Sequence, residues 1–241
     1  RSVTIEFLNE AVQTSLDEVE RGIRDRLDPM PAMLADLADL VVERALAEAA
    51  RKLRARMRPP RGAAGSVAAL GKFGGRELGL TSDLDLVFVY DDSAPGADAW
   101  FQELVRTLVA SIRARREGSF AIDLRLRPYG DAGSRATSLS GFRAYYAPDG
   151  PARPFERLAL VKLRPVTGPP ALTRALVEAR DAFVYSGRPL DYANLLHLRR
   201  RQAAELVPAG VADAKYSPGG LVDVEYFVQV RQIEAGAADP S

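Results

Sequence analysis

Two aspartates at the mouth of an otherwise apolar strand limit what this chain can become. The run Leu84 to Tyr90, LDLVFVY, is rich in β-branched and aromatic residues and gives way to a turn signal from Asp91 to Gly96. Residues two apart on a strand point to the same side, so Asp83 and Asp85 project together while Leu84 and Leu86 enter the core. Neighbouring carboxylates repel unless a cation sits between them, and an unpaired carboxylate beside a core is costly. The segment Ser119 to Arg127, SFAIDLRLR, repeats the oddity: Ile122, Leu124 and Leu126 alternate with Asp123, Arg125 and Arg127. The spacing predicts a second strand with a chemical face.

Magnesium answers that demand, because it takes hard oxygen ligands, commonly one or two protein carboxylates completed by nucleotide phosphate oxygens and water. Asp83 and Asp85 are expected to hold an ion that escorts a triphosphate, and Asp85 with Asp123 a second ion beside the attacking oxygen. Asp123 can also accept a hydroxyl proton. Arg125 and Arg127, on the predicted face of Asp123, are placed by parity to stabilise negative charge on a phosphate, and equally to pair with the aspartates. Gly74 and Gly75 lack the side chains that would block a close backbone approach, so their amides are expected to cradle phosphate; a tight turn is the plainer alternative. Ser82 is open to two roles, bonding a phosphate oxygen or closing the turn. The spacing of Gly71, Gly74, Gly75 and Gly79 gives neither G-x-G-x-x-G nor G-x-x-x-x-G-K-[ST], so neither a dinucleotide fold nor a P-loop is supported.

Around this centre, residues 3 to 27, Pro31 to Met57 and Trp100 to Arg116 carry helical periodicity, and Ser66 to Gly71 reads as a short strand. From Ser138 onward strand signals thin out, and helical patterns return at about 138 to 147, 170 to 184, 190 to 206 and 219 to 235. An α+β part is therefore expected over residues 1–134 and a helical part over 135–241. Arg51, Lys52, Arg54, Arg56 and Arg58 read as a solvated helix end. Glu156 and Lys162 read as an internal ion pair, and Asp223 and Glu225 as acids near the positive end of a helix begun by Ser217, Pro218, Gly219 and Gly220. His197 is the one histidine, so a histidine metal site is excluded and a surface role expected.

Composition removes other classes. Lys and Arg total 33 against 32 Asp and Glu, and this net charge of +1, without basic and aromatic interleaving, argues against nucleic acid as partner. With no cysteine, disulfides, thiolate catalysis and zinc-cysteine sites are excluded. No apolar run approaches the ~20 residues that cross a bilayer, so no membrane is expected and the cytoplasm is the default. The chain begins at Arg1 without Met, which suggests a piece of something longer.

The pattern GG-x(7)-DLD followed by Asp123 resembles the active-site signature of the polymerase-beta-like nucleotidyltransferase superfamily. The longer strings GKFGGRELGLTSDLDLVFVYDD, IDLRLRPYGDAG, FERLALVKLRPVTG and KYSPGGLVDVEYFVQ, over about residues 65 to 236, resemble one family within it, the glutamine synthetase adenylyltransferase and deadenylylase. That family's members are long bifunctional proteins with two catalytic halves, each a nucleotidyltransferase domain followed by a helical-bundle domain, so this chain is similar to one half. The resemblance implies transfer of AMP from ATP to a tyrosine of glutamine synthetase, or removal of that AMP by phosphorolysis to give ADP. It also implies two magnesium ions, and a nitrogen-signalling regulatory protein acting through the full-length enzyme. It raises Glu225 to a nucleotide-binding candidate. Phe155-Glu156-Arg157 and Arg127 to Gly130 look closer to the deadenylylating half, Gly219 to Glu225 closer to the adenylylating one, and Phe155 stands where the family is expected to carry Trp. Adenylylation is favoured slightly. A catalytically silent nucleotide-binding or docking module is the alternative of another class.

Overall fold

The computed structural model describes residues 29–80, 82–113 and 121–236; the helical pattern of residues 3 to 27 lies outside them. Helix α1 (Met30–Arg54) carries Pro29 and Pro31 at its start, where a missing N–H and a fixed φ cost little. It turns Ala35, Ala38, Val42, Ala49 and Leu53 inward at helical spacing, against α3 (Ala97–Arg113). Between them lie β1 (Gly65–Ala69), the one-turn helix α2 (Gly71–Gly74) and β2 (Leu84–Tyr90). β3 (Ile122–Asp123), β4 (Thr137–Ser138), α4 (Leu139–Tyr145), α5 (Glu156–Leu160) and β5 (Arg164–Thr167) follow. The helices α6 (Pro170–Val184), α7 (Tyr192–Leu206) and α8 (Leu221–Ala235) complete the described chain.

The architecture is α+β around a mixed five-stranded sheet, ordered β3-β2-β1-β5 with β4 also pairing β2. β1 runs antiparallel to β2 and β5, whereas β2 runs parallel to β3 and β4. The alternation of β2 sorts two cores: Leu84, Leu86, Phe88 and Tyr90 pack with α1 and α3, while Val87 and Val89 pack with the later helices. Asp85 shares the parity of Val87 and Val89. It therefore belongs to the face that the later helices cover, at the end of β2 where they leave a cleft.

Three expectations change. The second strand is only Ile122–Asp123 among the described residues; the chain then turns, with the Arg127 N–H donating to the Leu124 carbonyl at 3.2 Å, and Pro128, which has no N–H for a ladder, and Tyr129 and Gly130, at positive φ of 62° and 54°, keep it from resuming. Strand parity therefore does not govern Arg125 and Arg127, and Leu124 is half-buried beside the first core instead of lying inside it. The strand β5, RPVT, is too short and too rich in proline to read as one, yet it pairs with β1 and carries the sheet past the expected division between residues 134 and 135. Nor do the helices after residue 135 pack apart from the sheet: among the described residues Leu176, Val184 and Ile233 share one core with Ala68, Leu70 and Val87 of the sheet. A helix pattern records which face is apolar, not what that face will meet.

Candidate active site

The parallel register of β2 and β3 sets Leu84 opposite Ile122 and Asp85 opposite Asp123. The Leu84 N–H donates to the Ala121 carbonyl at 2.7 Å and fixes this register just below the two carboxylates. Asp83 lies immediately before β2 and is exposed. Ser82 closes the turn that delivers it: its Oγ accepts the Gly79 N–H at 3.0 Å and its own N–H donates to the Gly79 carbonyl at 3.1 Å. Of the two roles open to Ser82, the turn is the one that this geometry displays.

Gly71 was not singled out by the sequence, and it matters most among the glycines. Its φ is +52°, and a Cβ there would run into the Asp85 carboxylate. The Asp85 side chain thus rests on bare backbone at the start of α2. Gly74 and Gly75, expected to cradle phosphate, have their amides engaged: the Gly74 N–H donates to Leu70 and the Gly75 N–H to Gly71, at 2.8 and 3.0 Å. The lack of a side chain at Gly74 instead admits the backbone carbonyl of Lys162, which a Cβ would overlap.

Electrostatics single out Asp85. Burial, then the charges of Asp123 and Asp83, push its carboxyl up to about 6, and Arg125 and Lys215 oppose the rise. Burial acts to raise Asp123 as well, but the hydrogen bonds and charge of Arg125 hold it below the ordinary carboxylate range. Arg125 forks onto Asp123, with Nε 2.8 Å from Oδ2, and its own backbone N–H donates to Oδ1 at 2.8 Å. Arg127 lines both clefts, but its guanidinium is engaged by backbone. It donates to the carbonyls of Leu124 at 2.6 Å and Gly133 at 3.2 Å, tying up the turn after β3.

Two clefts flank the acids. One, of about 550 Å³, is lined by Asp83, Asp123, Arg106 and Arg135. The other, of about 620 Å³, is lined by Asp85, Lys162, Lys215, Glu225 and the rings of Tyr145 and Tyr226. Its size and its mix of aromatic and charged walls suit a nucleotide. Glu225 thus reaches the cleft from the first turns of α8, 4.0 Å from the Lys162 ammonium. Lys162 pairs with Glu77 at 2.7 Å, not with Glu156, which instead accepts the Tyr145 hydroxyl at 3.1 Å and the Arg153 N–H at 2.8 Å. Asp223 behaves as a helix-start acid: it accepts from the Gly219 N–H and from Arg199 Nε. His197 is exposed, as expected.

Among the described residues, no three His, Asp or Glu side chains gather closely enough to cage an ion by themselves. The donor set nevertheless fits magnesium carried on a nucleotide, which needs one or two carboxylates and takes its other ligands from phosphate and water. A paired acid with its proton held up to about 6, as at Asp85, is the kind of oxygen donor that gains most from a bound cation.

A model of the family described as glutamate-ammonia ligase adenylyltransferase matches residues 25–179. The chain belongs to this family. The glutamate-ammonia ligase adenylyltransferase match spans α1 through most of α6 and includes all three aspartates of the site. Among its relatives is the bifunctional glutamine synthetase adenylyltransferase/adenylyl-removing enzyme of Burkholderia mallei, 36% identical over 91% of this chain and 27% of that protein. The proteins of the same description from Xanthobacter autotrophicus and Mycolicibacterium smegmatis are 36% and 35% identical, each over 87% of this chain and 23% and 21% of theirs. The chain spans about a quarter of the length of these curated relatives. Among its described residues no helix is long and apolar enough to cross a membrane.

Proposed function

We propose that this chain is a magnesium-dependent nucleotidyltransferase of the polymerase-beta-like kind that transfers AMP from ATP to a tyrosine of glutamine synthetase in the cytoplasm. The observation that carries this reading is the Asp85–Asp123 register pair opening on a cleft of about 620 Å³ with cationic and aromatic walls. In the transfer, the tyrosine oxygen bonds to the α-phosphorus, the bond from that phosphorus to the β-phosphate bridge breaks, and the hydroxyl proton leaves as pyrophosphate departs. Two magnesium ions, when bound, neutralise the triphosphate and the charge that develops on it. Asp83, Asp85 and Asp123 are the residues assigned to hold them, and Asp123 is assigned as well to accept the hydroxyl proton.

The chain's own groups do the rest. Arg125, beside Asp123, would supply positive charge at the reacting phosphorus. Arg127 keeps the turn after β3 in place, and in this reading Gly74 and Gly75 admit Lys162 against the turn of α2, while Gly71 is the floor on which Asp85 rests. Ser82 positions Asp83. Functionally, residues 1–134 supply the metal carboxylates and residues 135–241 the cover, including Glu225 and Lys215. A nitrogen-signalling protein would act through the full-length enzyme.

Phosphorolytic removal of AMP, with ADP as product, is the second reading, favoured by Phe155 and Glu156 lining the cleft in the deadenylylating pattern. Incubating the chain with unmodified and adenylylated glutamine synthetase in parallel, with labelled ATP in one arm and labelled phosphate in the other, decides the direction. Binding of magnesium-ATP without transfer in either arm would leave a silent module.

A further inference from the structure

Four cations line the larger cleft among the described residues: Arg125, Arg127, Lys162 and Lys215. Three of them are engaged. Arg125 forks onto Asp123, Arg127 donates to backbone carbonyls, and Lys162 is buried between Glu77 at 2.7 Å and Glu225 at 4.0 Å. Lys215 is different. Among the described residues no ion pair engages it: its ammonium lies against the Tyr216 side chain, 4.8 Å from the ring centroid, and it lines the same cleft as Asp85 and Glu225.

Its backbone, in contrast, is closely held. The Asp213 carboxylate accepts the N–H groups of Lys215 at 2.8 Å and Tyr216 at 2.6 Å, and the Lys215 carbonyl accepts the Val222 N–H from the first turn of α8 at 3.1 Å. A cation on a fixed loop that lines the same cleft as Asp85, one of the carboxylates assigned to magnesium, is complementary to a phosphate bridging the two. We propose that Lys215 binds the phosphate on the far side of the α-phosphorus. That group is the departing pyrophosphate in adenylylation and the attacking inorganic phosphate in phosphorolysis. The proposal rests on the nucleotidyltransferase reading, and it makes Lys215 a substrate-binding residue contributed by the helical side of the cleft.

Calorimetry on the 241-residue chain tests it with three probes: magnesium alone, magnesium-tripolyphosphate, and adenosine. In Lys215→Ala, tripolyphosphate should bind roughly 10-fold or more weaker, as expected for loss of a charged hydrogen-bond partner. Adenosine should bind unchanged, and magnesium alone as tightly or tighter, since a cation facing Asp85 has been removed. Lys215→Arg should recover most of the tripolyphosphate affinity. The proposal is overturned if Lys215→Ala binds tripolyphosphate like the parent, or loses adenosine and tripolyphosphate by the same factor. If the parent itself binds neither ATP nor tripolyphosphate with magnesium, the enzyme reading falls and this proposal with it.

Discussion

Asp85 and Asp123 occupy facing positions of a parallel ladder that is only two residues long. So short a pairing contributes little stability, and what it achieves is to bring together two acids from distant parts of the chain. Their mutual charge is already felt at Asp85.

Replacing Asp85 with Asn therefore separates function from folding. AMP transfer should fall by several orders of magnitude, because the carboxylate assigned to both ions is gone. The metal-free fold should melt no lower than the parent, because one of three repelling charges has been removed. Near-parental transfer by this variant, measured with labelled ATP, would place the site elsewhere.

The same residue predicts a pH dependence. Its carboxyl is raised from 3.8 to about 6 in the fold, by burial first and then by Asp123 and Asp83. A raised folded value means a contribution that is fully present below about 3.8 and lost as the pH rises through about 6. Metal-free protein should accordingly lose stability relative to Asp85→Asn across that window, in denaturant titrations at stepped pH. Saturating magnesium should flatten the difference, since the ion stabilises the ionised form. Parallel curves for the two proteins would contradict the buried, crowded setting of Asp85.

Gly71 offers a steric test. Gly71→Ala imposes a side chain at φ +52° and drives its Cβ into the Asp85 carboxylate. We expect a loss of ~1–3 kcal/mol from the backbone alone, together with weaker magnesium binding. Gly79→Ala is the control, its nearest neighbour being Ser82 Oγ at an ordinary 3.5 Å. Thermal melts that rank the two alike would rule out the close approach at Gly71.

The sheet edge is held by a charge pair. Arg164 on β5 makes two hydrogen bonds of 2.9 Å to Asp39 on α1, with both side chains about one-fifth exposed. Asp39→Ala should cost ~2–3 kcal/mol, because it leaves a largely buried guanidinium without its partner. Differential scanning calorimetry would show this as a lower melting temperature with transfer activity retained below it. An unchanged melt would mean that the pair carries no net stability.

Glu225→Gln tests the cover of the cleft. The variant should lower transfer roughly 10-fold and leave magnesium binding intact, and Lys162 should stay in place through Glu77 at 2.7 Å. Loss of magnesium affinity in this variant would assign Glu225 to the metal instead.

The sequence by itself determined the strand Leu84–Tyr90 and the longer helices α1, α3, α6, α7 and α8, because alternation and helical spacing are local properties that a run of residues displays without its neighbours. It also marked Asp123 as unusual, although the strand around it proved to end there and Arg127 turned to backbone carbonyls. Tertiary structure alone decided the rest. That Gly71 lies under Asp85, that Lys162 bonds Glu77 instead of Glu156, and that Lys215 shares a cleft with Asp85 all depend on contacts between distant segments. Such contacts follow from which apolar faces share a core. Here the helices after residue 135 bury theirs against the sheet, and in doing so bring the cations of the later chain over the acids of the earlier one.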